Sequence, residues 1–464
     1  MNGLASDGPR VQGSNRRVKL DVGGKIFETT TSTLQSAGKT SLLARSALST
    51  DSAEIFFDRD PHLFALLLGV LRTGKLSAST WEKFDIEALI DEASYYGILE
   101  PVKKAMAPEA LDGIDVERVS MVVPNGRDYP LAICSSHDGS VWVGHGSKIT
   151  PYDWALRKQT TTLTDLHSVD TMNRISETLA AVGAEDFPGL HIYDTKNAAH
   201  MKSLTWSDKS DTRVYKPCVR ALASSDSSIF ASFENGQRTE NTILVVDKER
   251  LEVSREIGRQ SGNSAHSKVS TILQFVNSEN LLMVGGVHGG TFGFSGYIRL
   301  FDARADKIVW DWTEPNANAD PRMIERDSFA DVVVSEDLGA IVKVNVMRGN
   351  LAMADLRRLS ESRNPWMPLT ETNPALAVQG GTADAKIVSY GREIFCSRGE
   401  DLEVWSEVPV ISKSSAEVEE KKFRRNFVEH SRRGHQITSL SAGGDRLFVA
   451  RWEMQGVEVW ETKG

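Results

Sequence analysis

The sequence predicts an α/β domain over residues 16–106 followed by an all-β, seven-bladed propeller over residues 116–464. Three observations carry this prediction. Before Ala107, strand and helix periodicities alternate and are punctuated by cap residues. From Val116 onward the helical pattern stops, and an alternating apolar strand ending in an acidic or small polar residue recurs. A chain of 464 residues is also too long for one hydrophobic core.

The elements of the first domain follow in order. Val18, Leu20 and Val22 alternate with polar residues, Gly23-Gly24 supplies a two-residue turn, and Ile26-Phe27 begins the return strand. The glycine spacing does not suit a phosphate-binding loop. A helical stretch around Leu34, Leu42 and Leu43 precedes the strand-like Glu54-Ile55-Phe56-Phe57. Asp60 then suits an N-cap and Pro61 a first helical residue. Leu63, Leu66, Leu67, Val70 and Leu71 form one apolar face that Gly74 ends. A second helix runs from a cap at Asp85 to Gly97, and a third starts near Glu100-Pro101.

These segments resemble the potassium-channel tetramerisation type of BTB/POZ domain. The resemblance lies in the opening Val18-Lys19-Leu20-Asp21-Val22-Gly23-Gly24-Lys25-Ile26-Phe27, in Phe56-Phe57-Asp58-Arg59-Asp60-Pro61, in Leu71-Arg72-Thr73-Gly74-Lys75-Leu76 and in Glu92-Ala93-Ser94-Tyr95-Tyr96-Gly97-Ile98. The His/Cys metal cluster of some channel members is absent, and no cofactor is expected.

The strand copies that define the second region close at Asp153, Asp194, Asp247, Asp302, Asp355, Ser406 and Glu461, spaced by 41 to 55 residues. Seven copies at that period without helices predict a propeller, because a blade covers its faces only by packing on neighbours. The last copy has three strands, and Val116 to Val123 is expected to supply its fourth. Gly434-His435 and Trp460-Glu461 make the last unit similar to a WD repeat. The other copies have lost most of that signature.

Composition narrows the function classes. Hydrophobic residues make up 40% and charged residues 25%, as in folded soluble proteins. With 54 Lys+Arg against 63 Asp+Glu, a net charge of −9 and no long basic block, neither nucleic acid nor an anionic membrane is an expected partner. The longest apolar run, Leu63 to Leu71, is about half of a bilayer span. Cys134, Cys218 and Cys396 are too scattered for a disulfide framework or a metal site, which fits a reducing compartment. Residues 1–15 are polar and read as a disordered tail without a secretory apolar stretch. A cytoplasmic or nuclear protein with no direct membrane insertion is expected.

No catalytic constellation stands out. The ten histidines are scattered, no nucleophile elbow appears, and Ser136-His137-Asp138-Gly139-Ser140 is one residue short of an Asp-box. The chain is therefore expected not to be an enzyme. Two segments could contact a client protein. One is the glycine-dense Gly285 to Gly296, with His288, Phe292 and Phe294, for which a plain long hairpin is the alternative. The other is a loop expected to expose Trp366-Met367-Pro368. Ser412 to Arg433, acidic and then basic, reads either as a solvated loop entering the outer strand of blade six or as a docking or nuclear-import segment.

The resemblance implies a function. Domains of this type self-associate, often as tetramers or pentamers, and many bind cullin-3, so the chain would be the client-recognition adaptor of a cullin-3 RING ubiquitin ligase. A soluble scaffold associated with ion channels or signalling complexes is the alternative. Carried over by residue, the cullin-facing surface would include Phe57, His62, Arg72, Thr73 and Lys75, with Phe56 in the core and Phe57 more exposed. Asp21, Asp58, Arg59 and Asp60 would lie between subunits, although helix capping alone would equally account for Asp58 and Asp60.

Overall fold

The computed structural model describes residues 16–48, 55–76, 84–208, 214–261, 270–290, 293–314, 328–346, 349–362, 364–369, 384–408, 422–429 and 435–463. The tail over 1–15 lies outside the described residues. The chain divides into two compact units, Met1–Ala107 and Pro108–Gly464.

In the first unit, β1 (Arg17–Val22) and β2 (Lys25–Thr30) form the expected hairpin, and β3 (Ile55–Phe57) adds to β1 in parallel. Gly23 must be glycine: its φ is +57°, and a Cβ there would stand 2.4 Å from the Arg59 carbonyl oxygen. Among the described residues, five helices follow or interrupt the sheet: α1 (Thr31–Gln35), α2 (Leu42–Leu48), α3 (Pro61–Thr73), α4 (Ile86–Tyr96) and α5 (Leu99–Met106). The Asp60 carboxylate accepts the His62 N–H at 2.7 Å, Pro61 opens α3, and Gly74 closes it with φ +72°. Asp85 and Gly97 do the same for α4. Leu20, Val22, Phe57, Phe64, Leu67 and Tyr96 meet in one core, each full burial of a large apolar side chain being worth about 1.5–3 kcal/mol.

The second unit is a ring of seven four-stranded antiparallel sheets. The first strands, Pro130–Ser135, Thr171–Arg174, Cys218–Ser224, Ile272–Val276, Phe329–Ser335, Ile387–Tyr390 and Ile437–Gly443, neighbour one another in sequence order, and the seventh returns to the first. The recurring copies of the sequence are the third strands of the blades. Closure occurs as expected, with Val116–Val122 pairing antiparallel with Val457–Thr462 as the fourth strand of blade 7.

Two local devices explain why these residues build blades. Second-strand glycines let the next blade approach: a Cβ on Gly144 or Gly183 would stand 2.7 or 2.6 Å from Val169 or Val219 of the following blade. The acidic residue ending a third strand folds the turn after it. Asp247 Oδ1, for example, accepts the Glu249 and Arg250 N–H groups at 2.9 and 2.8 Å, and Leu251 then takes φ +54°. Asp153, Asp194, Asp302 and Asp355 accept N–H groups in the same way.

Blades 6 and 7 bury matching charge clusters. In blade 7, Glu458 accepts from Arg451, Arg118 and the Trp460 indole at 3.1, 3.1 and 3.2 Å. In blade 6, Glu403 pairs with Arg398 and Arg425, and the Arg425 guanidinium lies over the Trp405 ring. These contacts show why both third strands carry a glutamate two residues before a tryptophan.

Candidate docking surfaces

On the first unit, the side chains of β1 alternate, so Leu20 and Val22 enter the core and Asp21 faces outward. Asp21 lies opposite Ile26 on one neighbour and Phe56 on the other, which sets Ile26, Asp21 and Phe56 in one row across the outer face. Phe56 is 60% exposed and Ile26 55% exposed. One Asp21 carboxylate oxygen is buried without a hydrogen-bond partner. Two large apolar side chains held beside an unsatisfied acid make a surface suited to a protein partner.

This row corrects the expected roles of the two phenylalanines. Phe57 is only 7% exposed and packs edge-on against Tyr96, with ring centroids 5.4 Å apart. The parallel register is the cause: Phe57 pairs with inward Val22, and Phe56 with outward Asp21. Phe57 therefore cannot form part of a cullin-facing surface, and Phe56 is the surface residue.

The remaining residues of the first unit fall into two groups. His62, Arg72, Thr73 and Lys75 are exposed. Arg72 donates to the Glu28 carbonyl at 2.7 Å, tying the end of α3 to β2, while the Thr73 hydroxyl donates to the Gly69 carbonyl and accepts the Lys75 N–H. Asp60 is the helix cap, whereas Asp58 is exposed and plays no part in that cap. The Arg59 guanidinium lies 3.8 Å from the centre of the Tyr95 ring and 3.7 Å from Glu92. Burial holds the Glu92 carboxyl above the ordinary range, and Arg59 opposes that shift.

On the propeller, the glycine-dense stretch is the long blade-4 hairpin, Leu281–Gly290 pairing with Gly293–Asp302. His288 sits opposite Ser295 and Phe294 opposite Gly289, while Phe292 lies outside the described residues. Trp366 corrects another expectation. It is half-buried, its ring 5.1 Å from that of Trp312, and the Lys343 ammonium lies 4.8 Å from it. Met367–Pro368 is the short outer strand of blade 5, and it is exposed. Trp366 thus packs against Trp312 and Lys343 and does not project fully from its loop.

First strands of all seven blades line a central cavity of about 400 Å³, with Asp170, Arg220, Asp331 and Lys386 among its charged residues. Arg220 is paired with Glu185 at 2.8 Å, and Asp331 accepts the Val332 and Ile387 N–H groups. Asp138 accepts from the Ser140 backbone and hydroxyl, so the near Asp-box is a blade-1 turn. Among the described residues no cluster of His, Cys, Asp and Glu could hold a metal ion, and no helix is long and apolar enough to cross a membrane.

Comparison with known proteins resolves the family. The family described as At2g24240-like, C-terminal beta propeller, matches residues 125–462, and the BTB/POZ domain family matches residues 18–105. The chain belongs to the At2g24240-like BTB/POZ propeller family. The BTB/POZ domain-containing protein At5g41330 of Arabidopsis thaliana is 38% identical, with 98% of each chain covered. The BTB/POZ domain-containing protein At2g24240 of Arabidopsis thaliana is 27% identical over 97% of this chain and 98% of its own. The BTB domain alone is similar to the human A-type voltage-gated potassium channel KCND3, at 38% identity over 18% of this chain and 13% of the channel. A chain of the crystal structure of the mitotic checkpoint complex shares the fold at a TM-score of 0.50 and 13% identity, covering 77% of this chain and 92% of that one.

Proposed function

We propose that this BTB–propeller protein is a substrate adaptor of a cullin-3 RING ubiquitin ligase, in the cytoplasm or nucleus. Its BTB head self-associates and binds cullin, its propeller holds the client, and the chain itself performs no chemistry. The observation that carries the reading is the division of labour between the units. The head leaves Phe56 and Ile26 exposed on an otherwise compact domain, whereas the propeller is a closed scaffold whose edges and loops can present a client. Self-association would multiply weak client contacts through avidity.

The test is binding of the purified full chain to the cullin-3 N-terminal domain. Saturable binding that a Phe56→Ala, His62→Asp variant weakens at least tenfold supports the reading. Absence of binding by the wild-type chain removes it. The similarity of the head to a potassium channel favours a second reading, a soluble oligomeric scaffold for channel or signalling complexes. Affinity capture separates the two, with cullin and RING subunits recovered in one case and channel or signalling subunits in the other.

A further inference from the structure

The outer strand of blade 6, Lys422–Glu429, differs from the outer strands of the other blades. It carries Lys422, Arg424 and Arg425 against the single acid Glu429. In three other blades the charges balance: Glu252 and Glu256 against Arg255 and Arg259 in blade 3, Lys307 against Asp311 in blade 4, and Glu117 against Arg118 in blade 7. Blade 2 has only Lys202 besides a histidine, and the outer strands of blades 1 and 5 are uncharged dipeptides.

Its cations do not all serve the blade. Arg425 turns inward to buried Glu403 and lies 4.2 Å from the Phe427 ring. Lys422 and Arg424 are exposed and, among the described residues, make no ion pair or hydrogen bond through their side chains. The strand pairs with the third strand of its blade from Leu402↔Glu429 to Val408↔Lys422 and is the last strand of its sheet. Among the described residues nothing pairs with its far side, which presents a row of backbone donors and acceptors with no proline to interrupt them. Positive charge keeps two such edges apart while favouring an oppositely charged strand.

We propose that this edge accepts an extended acidic segment of a partner protein as a fifth strand of blade 6, with Lys422 and Arg424 selecting its charge. Backbone pairing supplies the affinity, and the exposed cations supply the selectivity. The inference rests on the reading of the propeller as the partner-holding half, but its test does not involve cullin, so the two can fail separately.

The experiment is fluorescence anisotropy of the full chain with a labelled octapeptide alternating glutamate and valine. The control peptide has the same charge, with proline in place of valine. Saturable binding of the valine peptide, at least tenfold weaker for the proline peptide and for Lys422→Glu, Arg424→Glu, is expected. The reversed variant should instead bind an octapeptide alternating lysine and valine, a gain that a misfolded chain would not show. No saturable binding of the acidic valine peptide overturns the proposal. Equal binding of both acidic peptides overturns it too, because general electrostatics would then suffice.

Discussion

In the head, a three-stranded sheet ends at β2 on one side and β3 on the other, and its outer face carries exposed Ile26 and Phe56 around a half-buried acid. In the propeller, the last blade takes its fourth strand from Val116–Val122, so the sheets close into a ring. One unit is completed by its own sequence, and the other leaves apolar surface to be covered. The contrast locates stability and association in different places. Substitutions at the propeller seam should unfold it, while substitutions on the outer face of the head should leave it folded and change its partners.

The strongest way to break the contrast is at Glu458, where the closing blade gathers two arginines and an indole N–H around one carboxylate. Glu458→Ala leaves Arg451 buried with its carboxylate partner removed, and a broken buried pair of this kind costs about 3–5 kcal/mol. The propeller transition in denaturant unfolding should fall by that amount. A change below about 1 kcal/mol would show that the seam does not depend on the cluster.

The two adjacent phenylalanines sharpen the contrast within the head. Phe57→Ala removes a ring packed on Tyr96 and should cost about 3–5 kcal/mol. Phe56→Ala should cost less than about 0.5 kcal/mol yet raise the concentration needed for self-association about tenfold, a change of 1.4 kcal/mol. Light scattering and thermal unfolding measure the two effects on the same samples. Unchanged self-association of Phe56→Ala would mean that the outer row is not an interaction surface.

Why the sequence misplaces this pair while placing the helix caps correctly is a matter of range. Asp60, Pro61 and Gly74 act on neighbouring backbone groups, so local chemistry is enough to read them. The orientation of Phe56 and Phe57 depends on parallel pairing with β1, which is set by contacts about 35 positions away in the chain. In the propeller, the period and the closing strand are legible because each blade repeats the same local grammar. Trp366 is misread because the Trp312 ring and Lys343 that half-bury it come from other strands. The basic character of Lys422 to Arg425 is visible in sequence, but its place on the outermost described strand of blade 6 is not.

A smaller effect probes how the start of the propeller chain is fixed to blades 6 and 7. Leu111 is buried beside Val404 and Trp460, and the Thr462 hydroxyl accepts the Asp112 N–H and donates to the Ala110 carbonyl. Against Gly113 stands Glu393, whose Oε2 is buried without a hydrogen bond. Burial raises its carboxyl to about 6 from an ordinary 4.5, with Asp112 and Glu407 adding to the rise and Ser406 opposing it. Arg392 is paired with Glu407. Because the folded value is the higher one, ionised Glu393 destabilises the fold: the penalty is full above pH 6 and is relieved as the pH falls towards 4.5. Relative to Glu393→Gln, the wild-type propeller should gain about 1–2 kcal/mol on acidification across that window. Parallel pH profiles of the two proteins would show that Glu393 does not titrate there.

The smallest effect tests whether the ring shares its burden across local turns. Asp247 accepts two backbone N–H groups at the end of the third strand of blade 3, and both are near solvent. Asp247→Ala lets water replace the carboxylate, so the loss should be about 1 kcal/mol. Asp247→Asn keeps an acceptor oxygen at the same place and should recover most of it. The midpoint of denaturant unfolding for the two variants decides the matter. If asparagine is as damaging as alanine, the negative charge is what matters at the turn. If neither variant shifts the midpoint, the recurring acid of the third strands marks the blade without stabilising it, and closure of the ring alone holds the turns in place.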